Sequence, residues 1–64
     1  MKIKLKRIAK GWTQEDLSKE SGISRNTIVK IEKGDNDGIR FGTIKKIAEA
    51  LDTTVQELFF SEDE

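Results

Sequence analysis

Residues 13–34 read TQEDLSKESGISRNTIVKIEKG, and this stretch decides the fold. Thr13 with Asp16 three residues on is an N-terminal capping pair, in which a side-chain oxygen accepts from the otherwise unpaired amides of a first helical turn. A helix therefore starts there. Leu17 is its inward anchor, Ser18 is small enough for close approach, and Gly22 can take the left-handed backbone conformation that stops a helix. Ile23 plugs the corner. Ser24 then caps a second helix, in which Ile28 and Ile31 recur at helical spacing, and Gly34 ends it. Helix, sharp turn, helix is an arrangement that presents the outer face of its second element to a groove.

Working outward, Leu5, Ile8, Ala9 and Trp12 fall at i, i+3, i+4 and i+7, one face of an amphipathic helix that closes at Gly11 and leaves Lys4, Lys6, Arg7 and Lys10 on its surface. The pattern leaves open whether Ile3 begins this helix or precedes it as extended chain. Trp12 reads as core packing rather than as a base-stacking platform. Residues 34–41, GDNDGIRF, cluster turn formers and make a loop. Beyond it Phe41, Ile44, Ile47, Ala48 and Leu51 restore helical spacing until Asp52, and Thr54 with Glu57 forms a second capping pair for a short last helix carrying Val55, Leu58 and Phe59.

The expected fold is all-α, a compact five-helix bundle over residues 1–60, followed by an acidic flexible tail at 61–64. Its expected core is Leu5, Ile8, Trp12, Leu17, Ile23, Ile28, Ile31, Phe41, Ile44, Ile47, Leu51, Val55 and Leu58.

Composition narrows the function. A chain of 64 residues holds one domain, and a domain of this size buries only about 60% of its unfolded surface, which leaves no room for a large internal active site. The absence of Cys and His removes disulfides, zinc sites built from those ligands, and thiol or imidazole catalysis. With no nucleophile beside a base, the reading is a non-enzyme without cofactor, metal or evident small-molecule ligand. No apolar run approaches the roughly 20 residues of a membrane span, and the amino end lacks a secretory pattern, so a cytoplasmic protein with no membrane partner is expected. A formal net charge of zero hides an asymmetry: residues 1–34 carry nine Lys or Arg against four acids, and residues 35–64 carry three against eight. A basic half joined to an acidic half suits a molecule that meets a polyanion with one face.

Once Ile28 and Ile31 point inward, the 100° step per residue leaves Arg25, Asn26, Val29, Lys30 and Lys33 on the opposite side of their helix. Arg can donate two parallel hydrogen bonds to guanine O6 and N7, Asn can bond adenine at N6 and N7, and Val can meet a thymine methyl. Lys30, one turn beyond Asn26, can reach a base edge or a phosphate.

The order TQEDL, SGIS, TIVKIEKG, followed by FGTIKKIAEALDTTVQELF, resembles the lambda-repressor-like (Cro/Xre-type) helix-turn-helix family of bacterial and phage transcription regulators, from about Leu5 to Phe60. The resemblance implies sequence-specific binding of double-stranded DNA, most often as a repressor, by major-groove reading with helix 24–33. It places base readers at the first, second and sixth positions after the Ser24 cap, which are Arg25, Asn26 and Lys30, with Val29 beside them. It implies that Gln14, in the first turn of the preceding helix where amides favour an anion, touches phosphate and braces Arg25. Thr27 is similar to positions that bond phosphate, and Lys33 with the basic first helix adds attraction without sequence preference.

The chain also departs from the family. Asp35 and Asp37 stand where relatives often carry basic residues, and Arg40 supplies a cation from the far end of that loop. The apolar positions of the first helix fall closer to Gly11 than in most relatives, which removes the basis for a phosphate contact from Arg7. Relatives pair to read half-sites about 34 Å apart. A homodimer is therefore expected, with Phe60 and Val55 or their neighbours in a symmetric contact. The alternative is a protein-interaction module, an antitoxin or adaptor on the same scaffold, which the acidic second half favours.

Overall fold

The Thr13 hydroxyl accepts from the Asp16 amide at 3.0 Å, and the Thr13 amide donates to the Asp16 carboxylate at 2.9 Å, so the capping box closes in both directions. The computed structural model describes residues 1–35 and 37–59, and these form α1 (Ile3–Ala9), α2 (Gln14–Ser21), α3 (Arg25–Glu32), α4 (Phe41–Ala50) and α5 (Val55–Phe59), with no strand among the described residues. Gly22 ends α2 in the left-handed conformation at φ 75°. The corner behind it is tied by the Ser18 hydroxyl, which donates to the Ile23 carbonyl at 2.7 Å, and α3 begins with the Thr27 amide donating to Ser24 Oγ at 3.2 Å. Each turn signal in 13–34 thus has its hydrogen bond. The second capping pair is only half formed. The Glu57 amide donates to Thr54 Oγ1 at 3.0 Å, but the Glu57 carboxylate accepts from the Thr53 hydroxyl at 2.7 Å.

α2 lies against α3 and α4, α1 against α3, and α4 against α5. The Lys2 amide donates to the Leu58 carbonyl at 3.1 Å and brings the start of α1 to the end of α5. Among the described residues the core is Ile3, Leu17, Ile28, Ile31, Ile44, Ile47, Ala48, Leu51 and Leu58, with Trp12, Ile23, Ile39 and Val55 partly buried against it.

Three expected core members lie outside. Leu5 is 66% exposed and Ile8 56%, while Ile3 at 1% and Arg7 at 8% occupy the inner edge of α1. The expected face was anchored on Trp12, but α1 ends at Ala9 and Gly11 turns the chain at φ 74°, so Trp12 is out of phase with the helix. Arg7, expected on the surface, is interior. Phe41 is the third, 67% exposed, because Ile39 is packed against the core in its place. Arg40 is the N-cap residue of α4, so Ile39 precedes the cap and Ile44 is four positions into the helix, the spacing of a hydrophobic staple. Phe60 and the tail at 61–64 lie outside the described residues.

With a core this small, Ile28→Ala and Ile3→Ala should each cost about 2–5 kcal/mol, against about 0.5 kcal/mol for Leu5→Ala. Urea denaturation in dilute solution checks this. Equal losses from Ile3→Ala and Leu5→Ala would contradict the assigned face of α1.

Candidate nucleic-acid interface

α3 is held from below by a charged network. The Arg7 Nε donates to Glu32 Oε2 at 2.7 Å and Nη2 to Glu32 Oε1 at 3.2 Å, while Nη1 donates to the Trp12 carbonyl at 2.7 Å. Gln14, the first residue of α2, donates from Nε2 to the same Glu32 Oε1 at 3.0 Å. One carboxylate at the end of α3 is therefore gripped by α1 and α2 together, in the two-pronged geometry that only a guanidinium provides. Burial pushes the Glu32 carboxyl up, but hydrogen bonds from Arg7 and Gln14 and the charge of Arg7 outweigh it, and the group is held below its ordinary value of 4.5. Neither member was expected in this role. The available signal was position: Glu32 stands four residues after Ile28, inside the apolar stripe of α3, and Arg7 four after Ile3.

With that edge fixed, the other side of α3 is open. Ile28 and Ile31 are buried, and Arg25, Asn26 and Lys30 are all exposed, with Val29 half-buried beside them. From Arg25 to Lys30 the helix rises about 7.5 Å, a length that a major groove about 12 Å wide accommodates. The first turn of α3 carries no acidic residue, so its free amides and the helix dipole meet solvent without a competing carboxylate.

The expected backbone-contacting residues are placed less uniformly. Lys33 follows the helix end and is exposed. Thr27 is half-buried, its hydroxyl accepting from Ser24 Oγ at 2.9 Å. Gln14 is half-buried and bonds Glu32 rather than bracing Arg25. Arg40 is exposed at the start of α4, across the loop from Lys33, and Asp35 and Asp37 between them are exposed as well.

A family model described as helix-turn-helix matches residues 3–58, nearly the whole described fold. The chain belongs to the Cro/C1-type helix-turn-helix family. It is similar to an uncharacterised HTH-type transcriptional regulator of Methanocaldococcus jannaschii, 40% identical over 98% of this chain and 94% of the relative. A second, from Archaeoglobus fulgidus, is 42% identical over 84% of this chain and 76% of its own length. The HTH-type transcriptional regulator SlrR of Bacillus subtilis is 37% identical over 94% of this chain, which spans 40% of that longer protein. No solved structure matches significantly. Within this helix-turn-helix domain the family's two defining helices are α2 and α3, whose connecting turn is the one that Gly22 and Ser24 build.

The lowered carboxyl of Glu32 sets a pH dependence. A folded-state value below the ordinary one gives stability that is fully present above the ordinary value and is lost as pH falls through the folded one. Asp16, held low chiefly by the Thr13 amide, acts in the same direction, so the variant comparison isolates Glu32. At neutral pH Glu32→Ala should cost about 3 kcal/mol by leaving the buried Arg7 charge without its carboxylate partner. The gap between wild type and Glu32→Ala should narrow as the solution is acidified below 4.5. Denaturant melts at a series of pH values measure it, and a constant gap would contradict the assignment.

Proposed function

We propose that this chain is a sequence-specific regulator that binds double-stranded DNA in the cytoplasm, inserting α3 into the major groove. The observation that carries this reading is the division of α3. Ile28, Ile31 and Glu32 fasten it to the fold, while Arg25, Asn26 and Lys30, three residues with base-reading or phosphate-binding chemistry, stay open to solvent on the other side. Arg25 and Asn26 act as the base readers, Lys30 contacts a base edge or phosphate, and Val29 meets a thymine methyl.

Lys33, Thr27, Gln14 and Arg40 hold the backbone. The Gln14 amide group has two N–H donors, of which the bond to Glu32 uses one, leaving the other for a phosphate oxygen. Membership of the helix-turn-helix family and relatives named as transcriptional regulators support the reading. We read the regulator as a repressor that pairs as a homodimer, since a bound domain blocks its groove to other proteins and two half-sites lengthen the sequence that is read.

A second reading, an antitoxin or adaptor that meets a protein through the same scaffold, is favoured by the exposed Asp35 and Asp37 at the end of α3. The two part on salt. A regulator should lose duplex affinity linearly with log salt at a slope of about −0.9 per phosphate neutralised, and Lys33→Ala should make that slope shallower by about one unit. Arg25→Ala should cost about 1–3 kcal/mol on the preferred site and relax preference at one position. Selection of bound duplexes from a random pool, followed by fluorescence anisotropy across a salt series, makes the measurement. Failure to enrich any duplex, with binding insensitive to salt, would sink the regulator in favour of the adaptor.

A further inference from the structure

The C-terminal ends of α1, α2 and α4 meet around a cleft of about 590 Å³ that no residue of α3 lines. Lys10 and Trp12 border it just past α1, Glu20 in the last turn of α2, Lys46 and Glu49 on α4, and Asp52 just past α4. Its volume falls within the range of about 300–1,000 Å³ in which small molecules are held. Of these charged side chains three are carboxylates and two are ammonium groups, and one ammonium is already engaged. The Lys10 Nζ lies 2.8 Å from Asp52 Oδ2 and 5.0 Å from the centre of the Trp12 ring.

The chain's own lysine shows what this cleft accepts. An indole face and a carboxylate within reach of one ammonium both attract it, the first through the ring quadrupole and the second through its full charge. The remaining acids add to that attraction. Glu20 and Glu49 stand in the last turns of their helices and Asp52 just beyond one, where the helix dipole already puts negative charge. α4 has no basic residue in its last turn to offset them. The carboxylates do not converge on one point: among the described residues no three metal-ligating side chains gather as a metal ion requires. Acids spread round a cleft beside an aromatic wall suit an elongated organic cation, whose charges are separated by methylene groups.

We propose that this cleft binds a small alkylammonium ligand, a linear diamine being the simplest. One ammonium takes the place of the Lys10 Nζ against Trp12 and Asp52, and the other meets the carboxylates of Glu20 and Glu49. Lys10 is then an internal competitor, and exposed ion pairs hold weakly enough for a ligand to displace it. The site is independent of groove reading, since it shares no residue with Arg25, Asn26 or Lys30.

Trp12 is the single tryptophan of the chain and reports on the cleft directly. Titration of its fluorescence with putrescine, against sodium chloride at matched ionic strength, should give a saturable change with a dissociation constant of about 1 mM. Asp52→Asn and Glu49→Gln should each weaken binding about threefold to tenfold, and Lys10→Met, which vacates the ring and Asp52, should tighten it about threefold. All three side chains belong to exposed residues, and Asn tolerates the left-handed backbone that Asp52 adopts at φ 56°, so circular dichroism should show each variant folded. Butanediol, the neutral counterpart of putrescine, and sodium phosphate test an uncharged and an anionic occupant. A response no larger than that of the salt overturns the proposal. So does a dissociation constant indifferent to both Asp52→Asn and Glu49→Gln, one that Lys10→Met weakens, or an equal saturable response to butanediol or phosphate.

Discussion

A guanidinium and a carboxylate taken out of water satisfy each other in only a narrow set of orientations, and Arg7 with Glu32 imposes that restriction on three helices at once. Two guanidinium nitrogens fix the carboxylate, a third holds the Trp12 carbonyl just past the end of α1, and Gln14 adds the start of α2. Apolar packing alone tolerates sliding and rotation of one helix over another, because dispersion and burial have no direction. The ion pair does have direction. It therefore sets the roll of α3 about its own axis, and with it which residues look outward. The cost of placing charge inside so small a fold is offset only because every atom of the pair that leaves water finds a partner.

The turn at 13–34 was legible because caps are local: Thr13, Gly22 and Ser24 state their geometry within a few residues, and no distant contact is needed to interpret them. α3 could be oriented from Ile28 and Ile31 for the same reason. α1 could not. Its sequence offers an apolar edge at Leu5 and Ile8 and another at Ile3, and periodicity cannot say which one the fold uses when the deciding partner, Glu32, is 25 positions away. Phe41 misleads in the same way, since a large apolar residue at a helix start can be replaced inside by the residue before the cap, here Ile39. Arg7 was read as a surface residue because it is charged, although it sits in phase with the buried Ile3, as Glu32 does with Ile28.

The charge distribution gains meaning once positions in space replace counts along the chain. Of the basic residues in the first half, Arg7 is neutralised inside, and Lys10 is paired with Asp52 at 2.8 Å while lying 5.0 Å from the centre of the Trp12 ring. Arg25, Lys30 and Lys33 remain exposed on or just beyond α3. Three cations thus stand where a groove would be met, Lys19 is exposed on α2, and the basic first helix is divided between scaffold and the lysines beside Leu5 and Ile8.

The helices themselves are brief, from five residues in α5 to ten in α4. Segments under about 12 residues rarely persist in isolation, so none of these stands apart from the others. The surface formed by Arg25, Asn26 and Lys30 has no independent existence: it appears when the whole bundle assembles and vanishes when it melts. Any target that this surface held would therefore be bound only in proportion to the folded fraction, and would be released as the bundle melts.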